Sequence, residues 1–188
     1  MEALLTTFIA AALGEWGDKT QLLVAALAAR YRRPGPVLAG VCVAALANSA
    51  LAAFGGTLIH GTITPRAVSL LVAMALLLAA LGAVSRPKTP VMAAAWRTGP
   101  FVTTAACFFL VEFGDRTQFV TAALAAQFDS FALAALGATA GILASSLPAA
   151  ALGARLPRAA PLRPIRLAAG ALFLAAGLVI GIASLRLA

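Results

Sequence analysis

Residues 14–29 have the sequence GEWGDKTQLLVAALAA, which returns as VEFGDRTQFVTAALAA at residues 111–126. Ten of the sixteen aligned positions are identical. The same spacing of 97 residues also aligns Ser49 with Ser146 and Gly56 with Gly153, without a gap. A similarity at fixed spacing indicates an internal repeat. We place its two copies at residues 1–85 and 99–188.

The composition is that of a membrane protein. Of the 188 residues, 62% are hydrophobic and only 11% are charged, against about a quarter charged in soluble domains. A helix needs about 20 apolar residues to cross the hydrocarbon core, and apolar runs of that length follow one another along the chain. We therefore predict an all-α integral membrane protein with a single transmembrane domain over residues 1–188. The six predicted transmembrane helices are 4–29, 37–59, 66–84, 99–126, 131–154 and 164–185.

The basic residues predict how these helices are oriented. The connections after the first, third and fifth spans contain ten Lys and Arg residues, whereas the opposite side contains Arg66 and Arg186. Because Lys and Arg in short loops mark the cytoplasmic side, we predict a cytoplasmic connection at 86–98 and both termini outside. Charges scattered between apolar segments predict no nucleic-acid partner, despite the net charge of +8. The ten residues are Arg30, Arg32, Arg33, Arg86, Lys88, Arg97, Arg155, Arg158, Arg163 and Arg166.

Each copy of the repeat contains three predicted spans, which is an odd number. The second copy must therefore enter the membrane in the opposite direction to the first, giving two inverted three-helix repeats. In transporters built this way, the substrate site lies near the midplane, where the two copies meet. We expect the charged segments of the two copies to form one such site.

Acidic residues lie inside two of the predicted spans. The chain has only six acids, and four of them are Glu15, Asp18, Glu112 and Asp115. A charge at the centre of a span costs about 2.5–3.5 kcal/mol or more, so such residues usually mark an ion or proton path. On a continuous helix, the two acids of each copy share one face. Gly17 and Gly114, which lie within the acidic pairs, would permit local unwinding.

The charge count predicts a divalent cation. Each charged segment contains two acids and one base, Lys19 or Arg116, so the two segments together carry −2. One divalent cation would balance this charge, and two protons could replace it when it leaves. The oxygen donors suit Mn²⁺, Ca²⁺ or Mg²⁺, and we predict no resident cofactor. The predicted metal ligands are Glu15, Asp18, Gln21, Glu112, Asp115 and Gln118.

Further polar residues are candidates for ligands or for a gate. Thr20 and Thr117 offer hydroxyl groups, and Lys19 and Arg116 could balance charge or join a gate. An alternative for the acids is a purely structural ion pair within each segment, between residues four apart on a helix. Small polar residues also occur at matching places in the second and fifth spans, where they could line the same cavity or simply let helices pack closely. They are Asn48, Ser49, Ser145 and Ser146.

Both segments contain the same six-residue motif, as Glu15-Trp-Gly-Asp-Lys-Thr20 and Glu112-Phe-Gly-Asp-Arg-Thr117. In this motif the chain resembles the small two-repeat cation/proton exchangers marked by E-φ-G-D-[KR]-[ST]. That family includes Golgi calcium and manganese exchangers of eukaryotes and manganese exporters of bacteria. The resemblance covers essentially the whole chain and implies export of Mn²⁺ or Ca²⁺ from the cytoplasm in exchange for protons. The family's acidic ligands would fall on Glu15, Asp18, Glu112 and Asp115.

The short central connection is similar to that of the bacterial members. By analogy it implies manganese as the cargo and the bacterial inner membrane as the location. Divalent cations, protons and the lipid bilayer are then the expected partners, whereas the oligomeric state stays open.

Two other functions are compatible with acids in the membrane. Paired carboxylates also serve membrane-embedded metal-dependent enzymes, but the chain has no DDxxD-type cluster. A passive divalent-cation channel, or a scaffold held by ion pairs, would also place acids within spans. The repeat that relates the two acidic groups favours an antiporter, which is not an enzyme.

Overall fold

The computed structural model describes residues 1–85 and 98–186, which are helical and contain no strand. A 3-10 turn at Gly153–Arg155 joins the seventh helix to the eighth. The basic residues Arg86, Lys88 and Arg97 of the predicted cytoplasmic connection lie outside the described residues. The helices are α1 (Glu2–Glu15), α2 (Lys19–Tyr31), α3 (Pro34–His60), α4 (Pro65–Val84), α5 (Pro100–Glu112), α6 (Arg116–Phe128), α7 (Phe131–Leu152), α8 (Leu156–Ala159) and α9 (Leu162–Arg186).

Four of the described helical segments are long and apolar enough to cross a membrane. They are α3, α4, the segment Phe131–Ala159 that contains α7 and α8, and α9. Their positions match the predicted spans 37–59, 66–84, 131–154 and 164–185. Proline starts α3 and α4, where its missing N–H removes no helical hydrogen bond. The prediction of an all-helical, multi-pass membrane protein is confirmed.

The predicted spans 4–29 and 99–126 are each interrupted, at the glycine where the sequence allows local unwinding. Residues 16–18 separate α1 from α2, and residues 113–115 separate α5 from α6. We call these two interruptions break 1 and break 2. The pattern of apolar residues did not predict them, because each break covers only three residues inside a run long enough to cross the bilayer. Each of the four resulting helices is shorter than the roughly 20 residues that a span requires.

Helices from the two halves of the chain pack against each other. α1 lies mainly against α7, α5 lies against α3, and α4 lies against α9. The core that joins them is rich in alanine, with a few large side chains such as Leu23 and Phe108. Small residues allow helix backbones to approach closely, which favours association within a bilayer. Large apolar side chains such as Phe54, Leu81 and Val179 are instead exposed on the outer surface, as expected for contact with lipid.

Gly56 provides a test of this close packing, because a methyl group there would overlap the carbonyl oxygen of Ala122 in α6. At the adjacent Gly55, a methyl group would meet no described atom within 4 Å. We expect Gly56→Ala to lower the free energy of unfolding by about 1–3 kcal/mol, since the helices must move apart. Gly55→Ala should leave stability unchanged or raise it by up to about 1 kcal/mol, because alanine is the better helix former. Thermal unfolding in detergent checks both variants, and equal midpoints would contradict the close α3–α6 contact.

Candidate functional site

Each charged motif lies at a break between two consecutive helices. The central glycines, Gly17 and Gly114, have φ values of +76° and +75°, which residues with a Cβ rarely adopt. The prediction that glycine permits local unwinding here is confirmed. The prediction that Glu15 and Asp18 share a helix face is wrong, because Glu15 ends α1 and Asp18 lies in break 1. The same applies to the second motif, where Glu112 ends α5.

The base of each motif pairs with the aspartate of the other motif. Lys19 Nζ lies 2.7 Å from Asp115 Oδ1, and Arg116 Nη2 lies 2.8 Å from Asp18 Oδ1. The alternative of ion pairs within each motif is not seen among the described residues. The breaks explain this difference, because they remove the helical turn that would bring residues four apart together. The ion pairs therefore join the two halves of the chain.

Arg116 is the more deeply placed of the two bases. Its side chain is 10% exposed, against 34% for Lys19. Its Nη2–H also donates to the carbonyl oxygen of Gly14 at 3.1 Å. Arg116 also lies close against Gly82 in α4, where an added Cβ would be 2.6 Å from its Nη1. Arg116 therefore binds both ends of break 1 from the opposite half of the chain.

The two glutamates of the motifs have different surroundings, although both are only 1% exposed. Glu15 accepts hydrogen bonds from both candidate hydroxyls, one from Thr20 and one from Thr117 at 2.6 Å. Both carboxylate oxygens of Glu112 are buried without a hydrogen-bond partner among the described residues. A buried carboxylate without partners is costly. Of the two glutamates, Glu112 is therefore the one whose buried carboxylate most needs a bound cation or a proton.

Gln21 and Gln118 form hydrogen bonds with the backbone of the two breaks. The N–H of Gly17 donates to Gln21 Oε1 at 2.9 Å, and the N–H of Gly114 donates to Gln118 Oε1 at 2.6 Å. Their amide groups donate across the chain, from Gln21 to the carbonyl oxygen of Ser145 at 2.7 Å and from Gln118 to that of Asn48 at 3.3 Å. In this conformation both amide oxygens, which are predicted metal ligands, are occupied by backbone donors.

The predicted polar residues of the second and fifth spans are buried in the same region. Asn48 donates through Nδ2 to the carbonyl oxygen of Phe109 at 3.2 Å. The hydroxyl of Ser145 donates within its own helix to the carbonyl oxygen of Ile142 at 2.8 Å, and Ser146 is 2% exposed. A small cavity lies next to the unpartnered glutamate. Its lining includes Asn48, Ser49, Glu112, Thr117, Gln118 and Thr121.

Three of the four predicted acidic ligands form a group of the size that holds one metal ion. A carboxylate oxygen from each of Glu15, Glu112 and Asp115 lies within 4.8 Å of the other two. Asp18 is not part of this group and pairs with Arg116 instead. Carboxylate oxygens are the ligands that hard divalent cations prefer. The arrangement can therefore hold a divalent cation between the two halves of the chain.

Arg166 lies close to break 1, which the sequence pattern did not predict. Its place among the basic residues after the fifth span predicts a position in a connection, but Arg166 lies within α9 and is 5% exposed. Its Nε–H donates to the carbonyl oxygen of Ala83 at 2.9 Å, and its Nη1–H donates to that of Gly17 at 3.4 Å. One feature of the sequence could have indicated a buried, functional position for Arg166. It lies inside the predicted span 164–185, where a charge is costly.

Comparisons with known proteins identify the family of the chain. The family model described as "Divalent cation/proton antiporter GDT1" matches residues 3–89 and again residues 100–187. A protein of Vibrio cholerae serotype O1, described as "Putative manganese exporter", is 35% identical over 175 residues, which cover 93% of this chain and 88% of the relative. No solved structure matches the chain. The chain belongs to the GDT1 family of divalent cation/proton antiporters.

Proposed function

We propose that this protein exports Mn²⁺ from the cytoplasm in exchange for protons, and that its site lies between the two motifs. The observation that carries the proposal is the group of carboxylates from both halves, Glu15, Glu112 and Asp115, whose oxygens lie within 4.8 Å of one another. The unpartnered oxygens of Glu112 support its role as a ligand that the cation completes.

Manganese is the proposed cargo, with calcium as the second candidate. The donors in the site are oxygens, which suit both cations. The relative from Vibrio cholerae has the description "Putative manganese exporter". This description favours Mn²⁺ over Ca²⁺ as the cargo. Under this proposal the remaining predicted ligands, Asp18, Gln21 and Gln118, support the carboxylate group by holding the breaks in place.

The ion pairs define which charges the cation balances. Asp18 is neutralised by Arg116 and Asp115 by Lys19, so the formal charge of −2 remains on Glu15 and Glu112. One divalent cation balances this charge when it binds between the two glutamates. Two protons on the same carboxylates balance it when the cation has left. Exchange of one cation for two protons therefore keeps the buried site neutral in both states.

We also propose six spans with both termini outside. α1 with α2 forms the first span and α5 with α6 forms the fourth, while α3, α4, α7 and α9 cross singly. The double match of the family model, to residues 3–89 and 100–187, supports two repeats, and three spans in each copy make them inverted. The arginines around residues 30–33 and 155–163 support a cytoplasmic face there, consistent with the bacterial inner membrane.

The transport reaction can be tested with purified protein in liposomes that contain a trapped pH-sensitive dye. We expect external Mn²⁺ to drive protons out of the lumen, with a smaller response to Ca²⁺. Asp18→Asn should reduce the initial rate on the order of 10- to 100-fold, because it removes an acid that holds the site together. Asp129→Asn is the matched control, since Asp129 is 63% exposed and lies at the opposite end of α6 from the second motif.

Two results would contradict the proposal. Entry of Mn²⁺ without proton movement would indicate a channel, and no movement of either ion would remove the transport hypothesis. Direction is tested in bacterial cells loaded with manganese, where the wild type should lower the internal metal content and Asp18→Asn should not.

A further inference from the structure

Arg166 connects three parts of the structure. It stands in the first turns of α9, its Nε–H donates to Ala83 near the end of α4 at 2.9 Å, and its Nη1–H donates to Gly17 in break 1 at 3.4 Å. Only a planar guanidinium offers donors in this fork geometry, so one side chain can hold two carbonyl groups that lie on different elements.

Break 1 is closed in this structure. Gly17 is buried, and a Cβ added to it would lie 2.8 Å from the carbonyl oxygen of Leu162 and 3.4 Å from the Cβ of Arg166. The start of α9 therefore packs directly on the backbone of break 1. Arg116, which also belongs to the second half, contacts Gly14 in the last turn of α1 and Asp18 at the end of the break.

Break 2 has the same local backbone but is open. Gly114 is exposed, and a Cβ added to it would meet no described atom within 4 Å. Phe113, next to it, is 61% exposed. The repeat spacing of 97 residues aligns Arg166 with Ser69 in α4. The hydroxyl of Ser69 donates to the carbonyl oxygen of Pro65 in its own helix at 3.1 Å. Arg66, the arginine of α4, donates to the carbonyl oxygen of Leu185 at 3.5 Å, so neither residue holds break 2.

We propose that Arg166 is a positioning residue that latches break 1 against α4 and α9. Its two hydrogen bonds, to Gly17 and Ala83, are the latch. Only the second copy of the repeat has an arginine at this position. In this conformation the protein is therefore closed at break 1 and open at break 2. This inference rests on the proposed function, because an exchanger must open the site between its two motifs in turn to opposite sides of the membrane. Release of the latch is then the step that exposes the site on the side of break 1.

Trp16 provides a reporter for the latch that does not depend on transport. It lies in break 1, its indole N–H is buried, and Trp96 is the other tryptophan of the chain. In a Trp96→Phe background in nanodiscs, we expect Arg166→Gln to raise acrylamide quenching of Trp16 about twofold and to shift its emission to longer wavelength, because water enters break 1. Arg163→Gln is the matched control, since Arg163 is exposed in the same turn of α9.

Arg166→Lys is the second variant, because it keeps the charge but replaces the fork with a single ammonium. We expect Arg166→Lys to raise the quenching of Trp16 by less than Arg166→Gln does. Both variants are measured well below their unfolding temperatures. If Arg166→Gln cannot be purified as a folded protein, the test uses Arg166→Lys by itself. Quenching of Trp16 in Arg166→Lys that equals the wild-type value then overturns the proposal.

Quenching that is unchanged in Arg166→Gln, or raised equally in Arg163→Gln, also overturns the latch. If Arg166→Gln raises quenching but the wild type moves no metal, the latch is supported and the proposed function is rejected.

Discussion

Replacing Glu112 with glutamine is expected to abolish metal-driven proton movement and to make the protein more stable. Glu112 is 1% exposed, and both of its oxygens lack a partner among the described residues. An amide of the same shape cannot ionise, so wherever the metal-free carboxyl would lose its proton the variant avoids the cost of a buried charge, which is of order 1–3 kcal/mol or more. The same change removes a ligand that also accepts a proton, so we expect the rate to fall at least about 100-fold.

Measurement of both properties on the same preparation makes this test specific. Liposome assays give the rate, and thermal unfolding in detergent gives the stability. Glu2→Gln is the matched control, because Glu2 is exposed at the start of α1, and it should change neither property. A variant that exchanges metal at the wild-type rate would remove Glu112 from the site. A variant that loses both rate and stability would indicate that Glu112 has a structural role.

Replacing Arg116 with methionine is expected to destabilise the protein by about 3–5 kcal/mol, because Asp18 then remains buried without its cation. Arg116 and Asp18 each have side chains that are 10% exposed, with 2.8 Å between Nη2 and Oδ1. The double variant Asp18→Asn with Arg116→Met should recover much of this loss, since no unpaired charge is left. Thermal unfolding of the wild type, both single variants and the double variant gives the coupling energy.

The other ion pair supplies the comparison for this cycle. Lys19 contacts Asp115 at 2.7 Å, but its side chain is 34% exposed, so water can replace it. Lys19→Met should therefore cost clearly less than Arg116→Met. Equal losses for Arg116→Met alone and for the double variant would show that the Asp18 charge does not set the cost.

The sequence was sufficient to predict much of the fold. Apolar length alone predicts α3, α4, α7 and α9 to within three residues at each end, because a bilayer imposes a minimum length on any helix that crosses it. The acids of the two motifs were also predictable as candidates for a site, because charge within an apolar run is costly. Three of them do form one group.

The contacts between the motifs were not predictable in the same way. Which acid pairs with Lys19 or Arg116 depends on how two segments almost a hundred residues apart meet in space. Local spacing favours partners four residues apart, but the breaks remove that geometry. The repeat also predicts equal surroundings for Glu15 and Glu112. The structure instead gives both hydroxyl donors to Glu15, so Thr117 bonds the glutamate of the other motif and not that of its own.

The exchange of ion partners between the motifs also matters during synthesis of the chain. Asp18 and Arg116 are 98 positions apart, and a ribosome that adds about 5–20 residues per second needs roughly 5–20 s to travel from one to the other. Helices α1 to α4 are therefore made before the partner of Asp18 exists. The charge of Asp18 is balanced by Arg116 only after translation of the second half, and the first half made alone cannot achieve it.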